Sequence, residues 1–186
     1  MKTTDKIIII DLEATCWQGI QPKDQVSEII EIGICVLYIP TGTISKNKGI
    51  LVKPAKSRVS QFCTELTTIT QEMLDKDGIP FQEACQLLRT EYDAYQYTWA
   101  SYGAYDLRML KNQCKIRNVD YPLSHDHINV KELFTQVKGL NKKVGMKGAL
   151  HILDLPLEGT HHRGVDDAKN IAKILYWCLK NKEDEK

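Results

Sequence analysis

The stretch "IIIIDLEATCW", residues 7–17, decides how the chain folds. Four consecutive isoleucines read as a strand buried on both faces, the pattern of a strand inside a covered sheet. The run then ends in Asp11 and Glu13, two residues apart. Side chains two apart on a strand point the same way, so both carboxylates share one face. Like charges held that close repel unless a positive charge lies between them. The end of this strand therefore asks for a cation.

Working outward, residues 14–25 read as a loop, with Gly19 and Pro22 as breakers. "VSEIIEIGICVLYI" (26–39) is rich in β-branched residues and reads as a long second strand. "PTG" (40–42) is a turn, and "GILVKP" (49–54) closes a third strand, so the first three strands form a meander. Phe81, Ala84, Cys85, Leu88 and Tyr92 then fall on one face of a helix. "YTWASY" (97–102) predicts a fourth strand, Leu107, Leu110 and Cys114 a further helix, and "HINV" (127–130) a short fifth strand. Ala168, Ile171, Ala172, Leu175, Cys178 and Leu179 mark an amphipathic C-terminal helix, after which "KNKEDEK" (180–186) reads as a charged, solvated tail. This order gives an α/β sheet covered by helices, expected as one domain over residues 1–186 with its core at about 6–180. In such sheets sites gather at strand ends, where Asp11 and Glu13 lie.

The formal net charge of +1 excludes global attraction to a polyanion, so a nucleic-acid partner needs a local basic patch. Six scattered cysteines show neither a CxxC pair nor zinc spacing and read as reduced thiols. The amino-terminal apolar run is only four residues long and no stretch is long enough to span a membrane, so a cytoplasmic protein is expected.

Two further acids come from elements able to converge on the first strand's end. Asp106 lies where the fourth strand passes into a helix, and Asp167 lies in the first turn of the last helix, beside Asp166. An acid in a first helical turn also has a purely structural explanation in the helix dipole. If the acids converge, an all-oxygen set suits Mg²⁺ or Mn²⁺ rather than zinc. Two such ions stabilise both the attacking and the leaving oxygen of a phosphoryl displacement. Histidine is the natural base for such chemistry near pH 7. His162 precedes Asp167 by five residues, and His161 precedes Asp166 by the same five, so spacing does not separate the two pairs.

The motifs "DLEAT", "SEIIEIG", "FCTELTTITQEML", "SYGAYDLRML", "INVKELF" and "HHRGVDDAKNIA" stand in the order seen in DEDDh 3′–5′ exonucleases. The resemblance is strongest to the branch of the histone-mRNA 3′ exonuclease and the exonuclease that restrains RNA interference, whose bacterial relatives include proteins named as sporulation-kinase inhibitors. It runs from about residue 7 to residue 179. It implies a ribonuclease-H-like fold with a mixed five-stranded sheet, and two divalent cations. By that resemblance Asp11 bridges both metals, Glu13 and Asp167 complete one site, Asp106 holds the other, and His162 is the general base. The family's histidine directly precedes the "xGxDD" segment, which favours His162 with Asp167 over His161 with Asp166.

The resemblance also implies that Phe62 and Tyr105 flank the terminal base and that Leu66 wedges nearby; stacking suits a site with no sequence preference. Thr68 stands where the family commonly has glycine. The segment 131–147 carries Lys131, Lys138, Lys142, Lys143 and Lys147, and Lys142 and Lys143 are expected to clamp the strand's phosphates. The expected partner is the 3′ end of single-stranded nucleic acid, RNA favoured over DNA. With no added nucleic-acid-binding module evident, substrate choice falls to this domain or to a protein partner. Two alternatives remain: an oligoribonuclease of very short RNAs, and a non-catalytic protein that regulates a kinase or another partner.

Overall fold

In the computed structural model, which describes residues 5–183, the isoleucine run splits between two cores. Strand β1 (Lys6–Ala14) sits at the centre of a mixed sheet of order β3-β2-β1-β4-β5. Strands β2 (Ile29–Tyr38) and β3 (Thr43–Leu51) continue antiparallel from it, whereas β4 (Trp99–Ser101) and β5 (His127–Asn129) run parallel. Ile8, Ile10 and Leu12 pack toward helices α3 (Phe81–Tyr92) and α4 (Tyr105–Arg117). Ile7 and Ile9 pack on the other face with α5 (Val130–Val137), α6 (Met146–Ile152) and α7 (Gly164–Glu183). Strand parity thus turns Asp11 and Glu13 toward the α7 side.

Two short helices flank the site end of β1. Helix α1 (Gln61–Thr67) is capped by Ser60, and α2 (Gln71–Asp77) by Thr70; each hydroxyl accepts the backbone N–H three residues on. The sequence pattern does not reveal them, because seven residues show too little helical period. Cys63, Ile69 and Leu74 seal them over Ile30.

The predicted meander, five strands and helices are present, with several boundaries changed. The "YTWASY" strand pairs only over Trp99–Ser101, since Ile8 and Ile9 are its register partners on β1. In "HINV", Asn129 caps α5 by accepting the Glu132 N–H, so Val130 already belongs to the helix. The segment expected as a tail from residue 180 is helical through Glu183, because Cys178 and the buried residues before it anchor the last turns; residues 184–186 lie outside the described residues. All six cysteines are free. Among the described residues no helix is long and apolar enough to cross a membrane.

Helix α7 approaches the sheet through glycine on glycine. A Cβ on Gly33 would overlap the Gly164 carbonyl group, and one on Gly164 would sit 2.9 Å from the Gly33 nitrogen and 3.0 Å from the Asp11 carbonyl oxygen. That close backbone approach carries the first turn of α7 onto the end of β1.

Candidate active site

The close approach brings Asp167 to the paired acids of β1. Carboxylate oxygens of Asp11, Glu13 and Asp167 all lie within 4.8 Å of one another. Asp106 joins from the opposite side: its Oδ1 accepts the N–H of Leu12, the residue between the two β1 acids, at 3.0 Å. Asp106, Glu13 and Asp167 are buried and Asp11 is partly so.

Enclosing so much negative charge raises the proton affinity of Asp11, Glu13 and Asp106. Burial, then the charges of Asp106, Glu13, Asp167 and Glu31, push the Asp11 carboxyl well above the usual carboxylate range. Burial and the neighbouring acids lift Glu13 to about 8, with Arg163 opposing. Asp106 rises to about 6 through burial, held back by hydrogen bonds from the Leu12 N–H, its own backbone and the Ser101 hydroxyl. Acids so arranged either take up protons or take up a cation.

The neighbouring acid Asp166 does not join this group. It accepts the Thr160 N–H at 2.9 Å and pairs with Lys169 at 3.4 Å. Gly159, at φ +71°, has no room for a Cβ beside the Asp166 carboxylate. Adjacent residues on a helix point about 100° apart, so one acid closes the loop while the other faces the sheet.

Both histidines contact Asp167, one through its ring and the other through its backbone. His161 Nδ1 lies 3.0 Å from Asp167 Oδ2, whereas His162 gives that same oxygen its backbone N–H at 2.9 Å. The rings stack with centroids 3.9 Å apart, so both stand beside Asp167. His162 adopts φ +65°, a left-handed conformation uncommon outside glycine. Burial, His161 and Lys147 hold its ring below the ordinary imidazole value against the pull of Asp167, which favours the neutral ring at pH 7.

Of the elements expected to carry substrate-contacting residues, α1 and the start of α4 adjoin the end of β1. Helix α1 is tied to the end of β1 by the Ser60 hydroxyl, which donates to the Cys16 carbonyl at 2.6 Å, and by the Cys63 thiol against the Ala14 carbonyl. It carries Phe62, partly buried and outside the three core clusters, and Leu66, 36% exposed. Tyr105, 51% exposed at the start of α4, stands near enough for the Asp106 and Glu13 charges to raise its hydroxyl's pKa alongside burial, while a Ser27 hydrogen bond lowers it. Thr68 caps α1 in the left-handed region at φ +62°, which supplies a backbone reason for glycine there. Of the two lysines expected as a clamp, Lys143 pairs with Glu132 at 2.6 Å and Lys142 is exposed on the loop between α5 and α6. Lys147, further on, is the lysine whose charge reaches His162.

Sequence reasoning passed over Glu31 and Arg163. Glu31 is fully buried and accepts from Arg163 Nε and Nη2, each at 3.2 Å, and from the Gly164 N–H at 2.8 Å. The available signal was a lone acid inside "IIEIGI", since a charge in a strand covered on both faces must be paired.

The family model described as Exonuclease (RNase T) matches residues 8–175. Human 3′-5′ exoribonuclease 1 is 32% identical over 191 residues, covering 95% of this chain and 53% of that protein. The chain therefore spans about half the length of that curated relative. Among solved structures, the nuclease domain of 3′hExo, a DEDDh family member bound to rAMP, superposes with a TM-score of 0.86 at 28% identity, covering 97% of this chain and 94% of that one. A 3′-exonuclease solved for its 3′-end specific recognition of the histone mRNA stem-loop gives a TM-score of 0.83 at 29% identity, covering 95% and 82%. The ribonuclease-H-like sheet, the acids converging at its central strand and these matches together place the chain in the exonuclease family, among the DEDDh 3′–5′ exonucleases.

Proposed function

We propose that this chain hydrolyses single-stranded RNA from its 3′ end, one nucleoside 5′-monophosphate at a time. The observation that carries the reading is the meeting of Asp11, Glu13 and Asp167 within 4.8 Å, with two imidazoles beside them. The donor set is all carboxylate oxygen with no thiolate, which fits Mg²⁺ or Mn²⁺. Asp11, Glu13 and Asp167 would hold one cation, and Asp11 with Asp106 a second. Once bound, such ions supply Lewis acidity that offsets the charge developing on the phosphodiester.

The chain's own groups do the rest. His162, neutral at pH 7, takes a proton from water as its oxygen attacks the last phosphorus. The bond from phosphorus to the 3′ oxygen of the preceding nucleotide breaks, and that oxygen takes a proton from solvent to become the new 3′ hydroxyl, while His162 returns its proton to solvent. Tyr105 and Phe62 stack on the terminal base, with Leu66 beside it, and Lys142 steadies the strand's phosphates without reading sequence. RNA is favoured as substrate because the matched human protein is named an exoribonuclease and one solved neighbour recognises an mRNA 3′ end.

The test is a gel time course on matched 5′-labelled RNA and DNA strands with Mg²⁺, Mn²⁺ or EDTA. A cation-dependent ladder shrinking from the 3′ end, faster on RNA and absent with Asp11→Ala, is expected. Intact strands under every cation would overturn the reading.

A further inference from the structure

Arg163 ties three separated parts of the chain to one point. Its guanidinium grips the fully buried Glu31 of β2 with Nε and Nη2, 132 residues away in sequence. Its remaining nitrogen, Nη1, donates to the Thr68 hydroxyl at 3.3 Å, where α1 ends. Its backbone is equally committed: the N–H donates to the Thr160 carbonyl at 3.2 Å, and the carbonyl accepts from Asp166 and Asp167 at 2.9 and 2.8 Å. The next N–H, of Gly164, also donates to Glu31. A planar guanidinium on a carboxylate is a directional, two-point joint that a lysine cannot reproduce.

This joint sits one residue from His162, whose left-handed backbone needs its surroundings to hold it. We propose that Arg163, anchored by Glu31, is a positioning residue that fixes the 160–162 loop, so that His162 is presented to the carboxylate group at one set angle. Thr68, with its hydroxyl on the same guanidinium, extends the frame to α1, which bears Phe62 and Leu66. The histidine side and the base-holding side of the cleft are thereby locked together. This inference rests on reading the carboxylate group as a nuclease site.

The test compares the full chain with Arg163→Ala, Arg163→Lys, Glu31→Gln and Thr68→Val. It reads steady-state cleavage of a 5′-labelled single-stranded RNA with Mg²⁺, and amide hydrogen exchange in the metal-free protein. For Arg163→Ala, kcat should fall about tenfold to 100-fold, as for residues that orient a site from behind. KM should stay within about twofold, because the joint does not bind the strand. The Thr160 and His162 amides should lose protection, Arg163→Lys should recover part of both signals, and Thr68→Val should give a smaller fall in kcat. A drop in melting temperature with kcat and protection unchanged would overturn the proposal, as would a rise in KM alone. Should Arg163→Ala fail to fold, Glu31→Gln decides: its amide oxygen can still accept from Gly164 and Arg163 Nε, but its amide NH2 faces Nη2 and breaks the second point of the joint, so wild-type kcat with wild-type protection there also overturns it. If the unaltered chain cleaves no RNA, the proposed function fails, and loop protection still decides whether Arg163 positions His162.

Discussion

Asp106, in the first turn of α4, accepts the Leu12 N–H at 3.0 Å, and Leu12 is the residue separating Asp11 from Glu13. The start of α4 is thereby pinned to the strand end that carries the paired acids. On the other side, the glycine contact between β2 and α7 delivers Asp167 to the same place. Backbone contacts therefore bring the acids of this group together.

The first consequence concerns stability and pH. Glu13 is raised from 4.5 to about 8 and Asp106 from 3.8 to about 6, so the folded chain binds more protons than the unfolded chain across that range. The contribution of these two groups to stability without metal is then fully present below about pH 4 and is lost as pH rises toward 8, since the slope follows unfolded minus folded protons bound. Thermal melts in EDTA between pH 5 and 8 should show this decline. Millimolar Mn²⁺ should flatten it, because a ligand that binds only the folded state stabilises it. A melting temperature that climbs with pH in EDTA would contradict the acidic-cluster account.

The two histidines are separable by mutation. His162→Ala should lower kcat by about 100- to 10,000-fold, the range for a lost general base. His161→Ala should cost less, because it removes a neighbour of Asp167 rather than the proton acceptor. Single-turnover rates of both variants against pH would distinguish them. The reverse order of losses would transfer the base role to His161.

Tyr105 is half exposed and belongs to no core cluster. Tyr105→Ala should leave the melting temperature nearly unchanged while weakening strand binding by about 1–3 kcal/mol, the worth of one stacked base. Tyr105→Phe should bind as the wild type does. Filter binding with a catalytically inactive Asp11→Ala background would measure both.

At Gly33 the constraint is steric. Gly33→Ala would drive a methyl into the Gly164 backbone, and overpacking of this kind typically costs about 1–3 kcal/mol. Because relief requires α7 to move, cation affinity should fall together with stability. Calorimetric Mn²⁺ titration of the folded variant would check it; unaltered affinity would mean Asp167 is not placed by this contact.

Local sequence determined much of this arrangement, because its signals are periodic. The isoleucine run gave a buried strand, strand parity put Asp11 and Glu13 on one face, and the apolar period from Ala168 to Leu179 marked α7. Spacing along the chain carried no such information about the histidines, since His161 and His162 stand equally far from an aspartate. The direction of each ring depends on the left-handed turn at His162 and on Asp166 being drawn away to Thr160. Nor did any local pattern pair Glu31 with Arg163 or bring Thr68 to the same guanidinium, contacts that span 132 and 95 residues. Such pairings have no sequence period; they arise when a sheet, two glycines and a helix terminus are packed together, and a buried charge accepts whichever partner that packing delivers.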